Sequence, residues 1–350
     1  MMEILQLSQD LADGLLAKEG AYVPSVPIVL GYSVNEYYKK TGIKAPEIMR
    51  DGKKIAQAQL FIAKKLGIKF LISCLDLNVI GEAYGTELSY PIDSVPMLEK
   101  GINDLEKLEN LEVLDPYKEG RMPINLKAAK ICSKKFDEES IFAFGGSEGP
   151  FTAAGAVMGA ENLMRNIIRN PDVVHKVIDI CTETIIEYYK ALIEQGLPNV
   201  FGITEPTASV SCISPEHFKE FVVPYIKRIV RKVNIPAWLL HVCGESEEII
   251  DQIVKLPRIF IFSCDRVNLK NIKEAIGKKF IITLGNVPTQ LLMRGTPQEV
   301  ELAAKDCIEQ VAKDGKYILS SGCDIGIGTP VENIHALINA PKKYGKYPID

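Results

Sequence analysis

The sequence has no run of about 18 apolar residues, so no membrane-spanning helix is expected. Met1 to Asp10 mixes apolar with acidic residues and shows no apolar stretch of the secretory type. Dense basic tracts are missing as well. Lys64-Lys65 and Lys342-Lys343 read as solvated helix faces or ends, and the formal net charge is −4. That balance excludes a nucleic-acid footprint. No Gly/Ser linker, internal repeat or Gly-x-Gly-x-x-Gly occurs, which argues against dividing the chain and against a dinucleotide-binding fold. Histidine is scarce, with four among 350 residues.

What is present is the balance of an ordinary globular chain: 47% hydrophobic and 25% charged residues, enough to bury a large core without staples. The eight cysteines (Cys74, Cys132, Cys181, Cys212, Cys243, Cys264, Cys307 and Cys323) therefore read as reduced thiols of a cytoplasmic protein, most of them small core residues.

Short apolar runs alternate with amphipathic helical stretches along the chain. Eight runs read as strands: 26–30, 70–74, 141–145, 200–204, 237–240, 259–263, 280–284 and 317–321. Several are almost continuously apolar, as strands covered on both faces are. Helix starts are marked at Asn170-Pro171 and Ser214-Pro215. Thr296-Pro297-Gln298-Glu299 and Thr329-Pro330-Val331-Glu332 both fit a capping box with proline at the first helical position. Eight strands with interleaved helices predict an α/β fold of the (β/α)₈ TIM-barrel type. Residues 1–350 read as one barrel domain, with an insertion at 84–135 containing a short strand and one or two helices.

A barrel carries chemistry on the loops that follow its strands. Those loops hold Asp76 and Glu82, then Gly149-Pro150-Phe151, Glu205, His241-Val242-Cys243-Gly244, Cys264-Asp265, Gly285-Asn286, and Gly322-Cys323-Asp324. His175, His217 and His335 fall inside helical stretches and read as ordinary helix residues. His241 instead ends a strand, two residues from Cys243. Positions i and i+2 of a strand share a face, so both side chains can converge on one ion at the mouth. Cys323 ends the eighth strand and points to the same mouth. Imidazole and two thiolates favour Zn²⁺, and three protein ligands with an open position make a catalytic type of site. Glu205 is the candidate for a displaceable fourth ligand or a proton carrier; the plainer alternative is a carboxylate satisfied by loop amides. Asp265 is a likelier mouth residue than its neighbour Cys264. Asp76, Glu82, Gly149, Phe151 and Asn286 are candidates for shaping a substrate pocket, each with loop capping or packing as its alternative.

Taken together, Gly149-Pro150-Phe151-Thr152, Glu205-Pro206-Thr207-Ala208-Ser209, Leu240-His241-Val242-Cys243-Gly244, Leu284-Gly285-Asn286-Val287 and Ser320-Ser321-Gly322-Cys323-Asp324 resemble the uroporphyrinogen decarboxylase superfamily. The resemblance runs from about Pro46 to Gly345. His241, Cys243 and Cys323 are similar to the zinc set of its corrinoid-dependent methyltransferase branch, which includes methylcobalamin:coenzyme M methyltransferases and O-demethylase methyltransferases. The resemblance implies methyl transfer between a small substrate and the cobalt of a separate corrinoid protein. That substrate is either a methoxylated or methylated compound or a thiol. With Glu205 as a third anionic ligand the site would be formally negative. Glu at this position, where many coenzyme M enzymes carry Asp, leans towards the demethylating members. No Asp-x-His-x-x-Gly pattern of cobalamin carriers occurs, so the corrinoid would ride on a partner protein. A decarboxylase-like lyase is the alternative. The arginine-rich segment that branch carries after its first strand is missing, since the first arginine is Arg50. A barrel that only binds a ligand or a corrinoid protein is a third reading.

Overall fold

The computed structural model describes residues 8–72, 75–139, 142–197 and 200–349. Cys74 lies outside them. Seven parallel strands form one sheet: β1 (Phe70–Ile72), β4 (Phe142–Glu148), β5 (Val200–Thr204), β6 (Ala237–Val242), β7 (Ile259–Cys264), β8 (Ile282–Val287) and β9 (Tyr317–Ser321). They are hydrogen-bonded in that order, with helices between them. A separate antiparallel hairpin consists of β2 (Glu87–Ser89) and β3 (Met97–Lys100).

The expected strand at 26–30 follows the barrel wall without forming a regular ladder. Pro24 and Pro27 lack N–H groups, so pairing on this stretch is sparse. Ser25 bridges to Leu319, and Val26 N–H donates to the Leu319 carbonyl at 2.9 Å. Further up, Ile28 N–H reaches Ser321 Oγ at 3.1 Å, and Leu30 N–H and Gly31 N–H donate to the two carboxylate oxygens of Asp324. The eighth position of the wall is thus held beside β9 by a few backbone bonds, the last from Ile325 N–H to the Ile28 carbonyl at 2.8 Å, and by the side chains of Ser321 and Asp324.

Inside the wall, Val200, Ala237, Leu239, Ile282, Leu284 and Ile318 pack together, with Val26 and Ile28 against them. The alternate residues Phe201, Ile203, Trp238 and Leu240 belong to the larger core between sheet and helices. This alternation fixes which way each strand end points. Removing such side chains from water is the main stabilising term, roughly 1.5–3 kcal/mol for each large apolar residue.

The helix starts divide. Thr296 and Glu299 form the expected reciprocal capping box ahead of Pro297–Val311, and Ser214 caps Pro215–Phe221 by accepting from His217 N–H. Thr329 does not cap. The last helix begins at Val331 with Pro330 in the cap position, one residue late for a box, and Thr329 Oγ1 is buried without a partner. Asn170 precedes Pro171–Glu194 without capping it; its side chain donates to Asn166 Oδ1 instead.

The segment 84–135 holds the β2–β3 hairpin and a short helix, Leu105–Glu109. Its last part belongs to the helix Met122–Glu139, which packs on Gly52–Leu66 and leads into β4. That helix connects to β4 as an ordinary crossover does, and residues 84–121 precede it. Arg121 fastens that segment. Its guanidinium is 3% exposed, binds both Asp76 oxygens at 2.7 and 3.0 Å, and pairs with Glu82, which also accepts from Tyr90 OH. Three segments thereby share one buried cation. Arg121→Met strands two carboxylates and is expected to cost about 3–5 kcal/mol in urea unfolding, far more than an exposed pair such as Lys118–Asp115. A loss below about 1 kcal/mol would contradict the fastening role.

Candidate metal centre

Ala237 and Leu239 face the barrel interior, so His241, on the same face of β6, does too. Its strand neighbour in register is Ser263 of β7, whose hydroxyl lies 2.9 Å from His241 Nδ1. That contact occupies Nδ1 and leaves Nε2 towards the mouth. Cys243 follows β6 directly, and Gly244 after it turns the chain with φ +69°. His241 Nε2 and Cys243 Sγ are 3.0 Å apart; Cys323 Sγ lies 3.2 Å from Cys243 Sγ and 3.7 Å from Nε2. Cys323 comes from the loop after β9. Among the described residues, these three form the group of nitrogen, sulfur and carboxylate donors able to hold one ion.

The sulfur separation is far beyond a disulfide bond of about 2.05 Å. A tetrahedral Zn²⁺, with Zn–S near 2.3 Å and Zn–N near 2.0–2.1 Å, needs donor separations of roughly 3.5–3.8 Å. Shifts of about half an ångström would meet that demand, and the donor set is the one zinc prefers. The mutual hydrogen bond pushes the Cys243 thiol well above its usual value, with burial adding to it. The same bond, together with His241, lowers the Cys323 thiol below its usual value.

Glu205 stands apart from this group. It is fully buried, and its oxygens accept from Phe151 N–H (3.1 Å), Thr152 N–H (2.8 Å) and Thr152 Oγ1 (2.8 Å) at the start of the helix Pro150–Met158. This is the plainer of its two sequence readings, a carboxylate satisfied by amides at a helix N-terminus. Burial pushes its pKa to about 7 against the pull of those donors. Gly149 is needed for the approach, because a Cβ there would stand inside the Glu205 carboxylate. Phe151 is fully buried and contributes its N–H. Asp76 and Glu82 are held by Arg121. Asn286 donates to the Val267 carbonyl and accepts from Cys307, tying β8 to the β7 loop. None of these five belongs to the His–Cys–Cys group. Cys264 is buried, with its thiol directed to the Leu284 carbonyl. His175, His217 and His335 lie in helices.

Sequence reading missed two partners. Ser263 was visible as the in-register neighbour of His241 once the β6–β7 pairing is known. Glu148 gave no signal as a buried acid. It is fully enclosed at the end of β4, accepting from Ile80 N–H at 2.8 Å and Ser147 Oγ at 3.0 Å.

The family model for uroporphyrinogen decarboxylase (URO-D) matches residues 14–344, and the chain belongs to that family. A methylated-thiol–coenzyme M methyltransferase from Methanosarcina mazei is 29% identical over 300 residues, covering 85% of this chain and 79% of that protein. The methylcobamide:CoM methyltransferase MtbA of the same organism is 29% identical, covering 88% and 90%. A uroporphyrinogen decarboxylase from Prochlorococcus marinus is 29% identical over a shorter stretch, 71% of this chain and 72% of its own. A solved methyltransferase from Methanosarcina mazei superposes with a TM-score of 0.83 at 26% identity, covering 96% of this chain and 98% of that one. The fold is the α/β barrel of this family.

Burial raises the Glu148 pKa to about 7 from an ordinary 4.5. The folded protein then keeps a proton that the unfolded chain releases between about pH 4.5 and 7, so this group lowers stability as pH rises through that window. Glu148→Gln keeps an acceptor for Ile80 N–H and removes the titration. Relative to the parent it should gain on the order of 2–3 kcal/mol between pH 5 and pH 8 in urea unfolding. Parallel pH profiles for the two proteins would show the group ionised normally.

Proposed function

We propose that this chain is a methyltransferase that moves a methyl group between the cobalt of a corrinoid on a separate protein and a small thiol, at a Zn²⁺ held by His241, Cys243 and Cys323. One observation carries the reading. An imidazole nitrogen and two sulfurs from the ends of β6 and β9 lie within 4.8 Å of one another at the barrel mouth. The family relatives with matching coverage, named as methylcobamide:CoM methyltransferases, support the direction of the chemistry.

His241, fixed by Ser263, presents Nε2, and the two cysteines present thiolates. These charges alone balance the ion, so Glu205 is not required as a ligand. Its engagement with the Phe151 and Thr152 amides leaves a fourth position to the substrate. When bound, Zn²⁺ supplies Lewis acidity that converts a substrate thiol to its nucleophilic thiolate near neutral pH. The two cysteine thiolates keep that substrate sulfur electron-rich. The buried wall below the ligands excludes water from one side, and the corrinoid-bearing partner would approach from the other, where Cys243 and Cys323 are partly exposed. The preference for an ether substrate suggested by Glu at position 205 loses its basis once Glu205 is not a ligand. Porphyrinogen decarboxylation is the weaker reading. It needs cations for several substrate carboxylates, and Arg121 is already bound to Asp76 and Glu82.

Elemental analysis of protein purified without chelators should give about one zinc per chain, lost in Cys243→Ser and in Cys323→Ser. Demethylation of free methylcobalamin by coenzyme M, followed by corrin absorbance, should fall in both by at least the roughly 100-fold that disturbing a zinc ligand's support costs. A zinc-free parent protein, or variants that keep their metal, would remove the reading.

A further inference from the structure

We propose that Asp265 is a positioning residue that sets the separation of the two cysteine-bearing loops, and through it the affinity and geometry of the metal site. The inference rests on the zinc reading above. Asp265 follows β7, the neighbour of β6 whose loop carries Cys243; β8 separates β7 from β9 in the sheet, yet Gly322, the residue before Cys323, comes into contact with Asp265 beyond the strand ends.

On one side it holds the residue after Cys243. Asp265 Oδ2 accepts from Gly244 N–H at 3.0 Å, while the next residue, Arg266, donates its N–H to the Gly244 carbonyl at 3.1 Å. Both backbone polar groups of Gly244 are thereby tied to two consecutive residues of the β7 loop. On the other side Asp265 meets the residue before Cys323. A Cβ on Gly322 would lie 3.1 Å from Asp265 Cα and 3.3 Å from its Cγ, and would collide with Oδ1. Gly322 is itself pinned, its N–H donating to the Val287 carbonyl at 2.9 Å. The β9 loop comes this close only because residue 322 has no side chain.

One half-buried carboxylate thus touches the neighbours of both sulfur ligands, which face each other at 3.2 Å. Asp265 is not among the donors that converge on the ion position. Its effect runs through the backbone of Gly244 and the contact with Gly322. Supports of this kind commonly change metal affinity 10–100-fold when removed.

The test compares the parent protein with Asp265→Ala, Asp265→Asn and Gly322→Ala. Zinc affinity is measured by competition with a chromophoric chelator, and site geometry by the visible spectrum of the Co²⁺-loaded proteins. Metal-free melting controls for folding. Asp265→Ala should bind zinc about 10–100-fold more weakly and shift the Co²⁺ bands. Asp265→Asn, which keeps an acceptor of the same shape, should stay within roughly three-fold of the parent, with its spectrum retained. Gly322→Ala should weaken binding although Asp265 is intact, and it decides the matter should Asp265→Ala not fold. Folded Asp265→Ala and Gly322→Ala proteins with parental affinity and an unchanged spectrum would overturn the positioning role while leaving the zinc site standing. A parent protein that takes up neither Zn²⁺ nor Co²⁺ would instead bring down the zinc reading and this inference with it.

Discussion

The carboxylate of Asp324 joins the two ends of the barrel wall. It accepts from Leu30 N–H at 2.7 Å and Gly31 N–H at 3.2 Å, where two prolines have left the first wall segment short of ladder donors. Burial drives its pKa up to about 7, opposed by those same N–H groups. The residue that closes the wall is also the one after Cys323. Closing the barrel and placing the Cys323 side chain are therefore one structural event.

Much of this was written in the sequence at the level of strands. Residues 200–204 and 317–321 form strands with the expected bounds, because apolar runs covered on both faces stop where polar loop residues begin. At 237–240 the apolar run ended too soon: the strand continues through His241 and Val242, since the ladder to β7 uses backbone groups regardless of side-chain polarity. At 280–284 it began too soon, with Phe280 packing inside the barrel ahead of the regular strand. At 26–30 apolar character was present and a regular strand was not, and Pro24 and Pro27 are the physical reason. The Arg121 clamp was illegible, because Asp76, Glu82 and Arg121 are brought together only by the fold of the 84–121 segment.

The candidate site was legible to the extent that parity governs it. His241 and Cys243, two apart at a strand end, can share a face, and Cys323 stands at the end of another strand; no long-range knowledge is needed beyond the barrel. Glu205 shows where such reasoning stops. A glutamate after a strand looks like a ligand in sequence. Whether its oxygens face the ion or a helix N-terminus depends on the approach of Pro150–Met158, which in turn depends on the bare backbone of Gly149.

The mouth contains several carboxylates, and their engagement explains why the softer donors define the site. Asp76 is bound by Arg121, Glu205 by the Phe151 and Thr152 amides, Asp265 by Gly244 N–H and Asp324 by Leu30 and Gly31. Each anion spends its charge on ordering a loop. A hard ion such as Mg²⁺ or Ca²⁺ needs several oxygen ligands and would have to take them from these loops, disordering the rim that holds it. An imidazole nitrogen and two sulfurs are instead left facing one another, with Ser263 bound only to the far side of the ring. The donor set left free suits a borderline-soft ion because the acids are engaged elsewhere as much as because of the cysteines themselves.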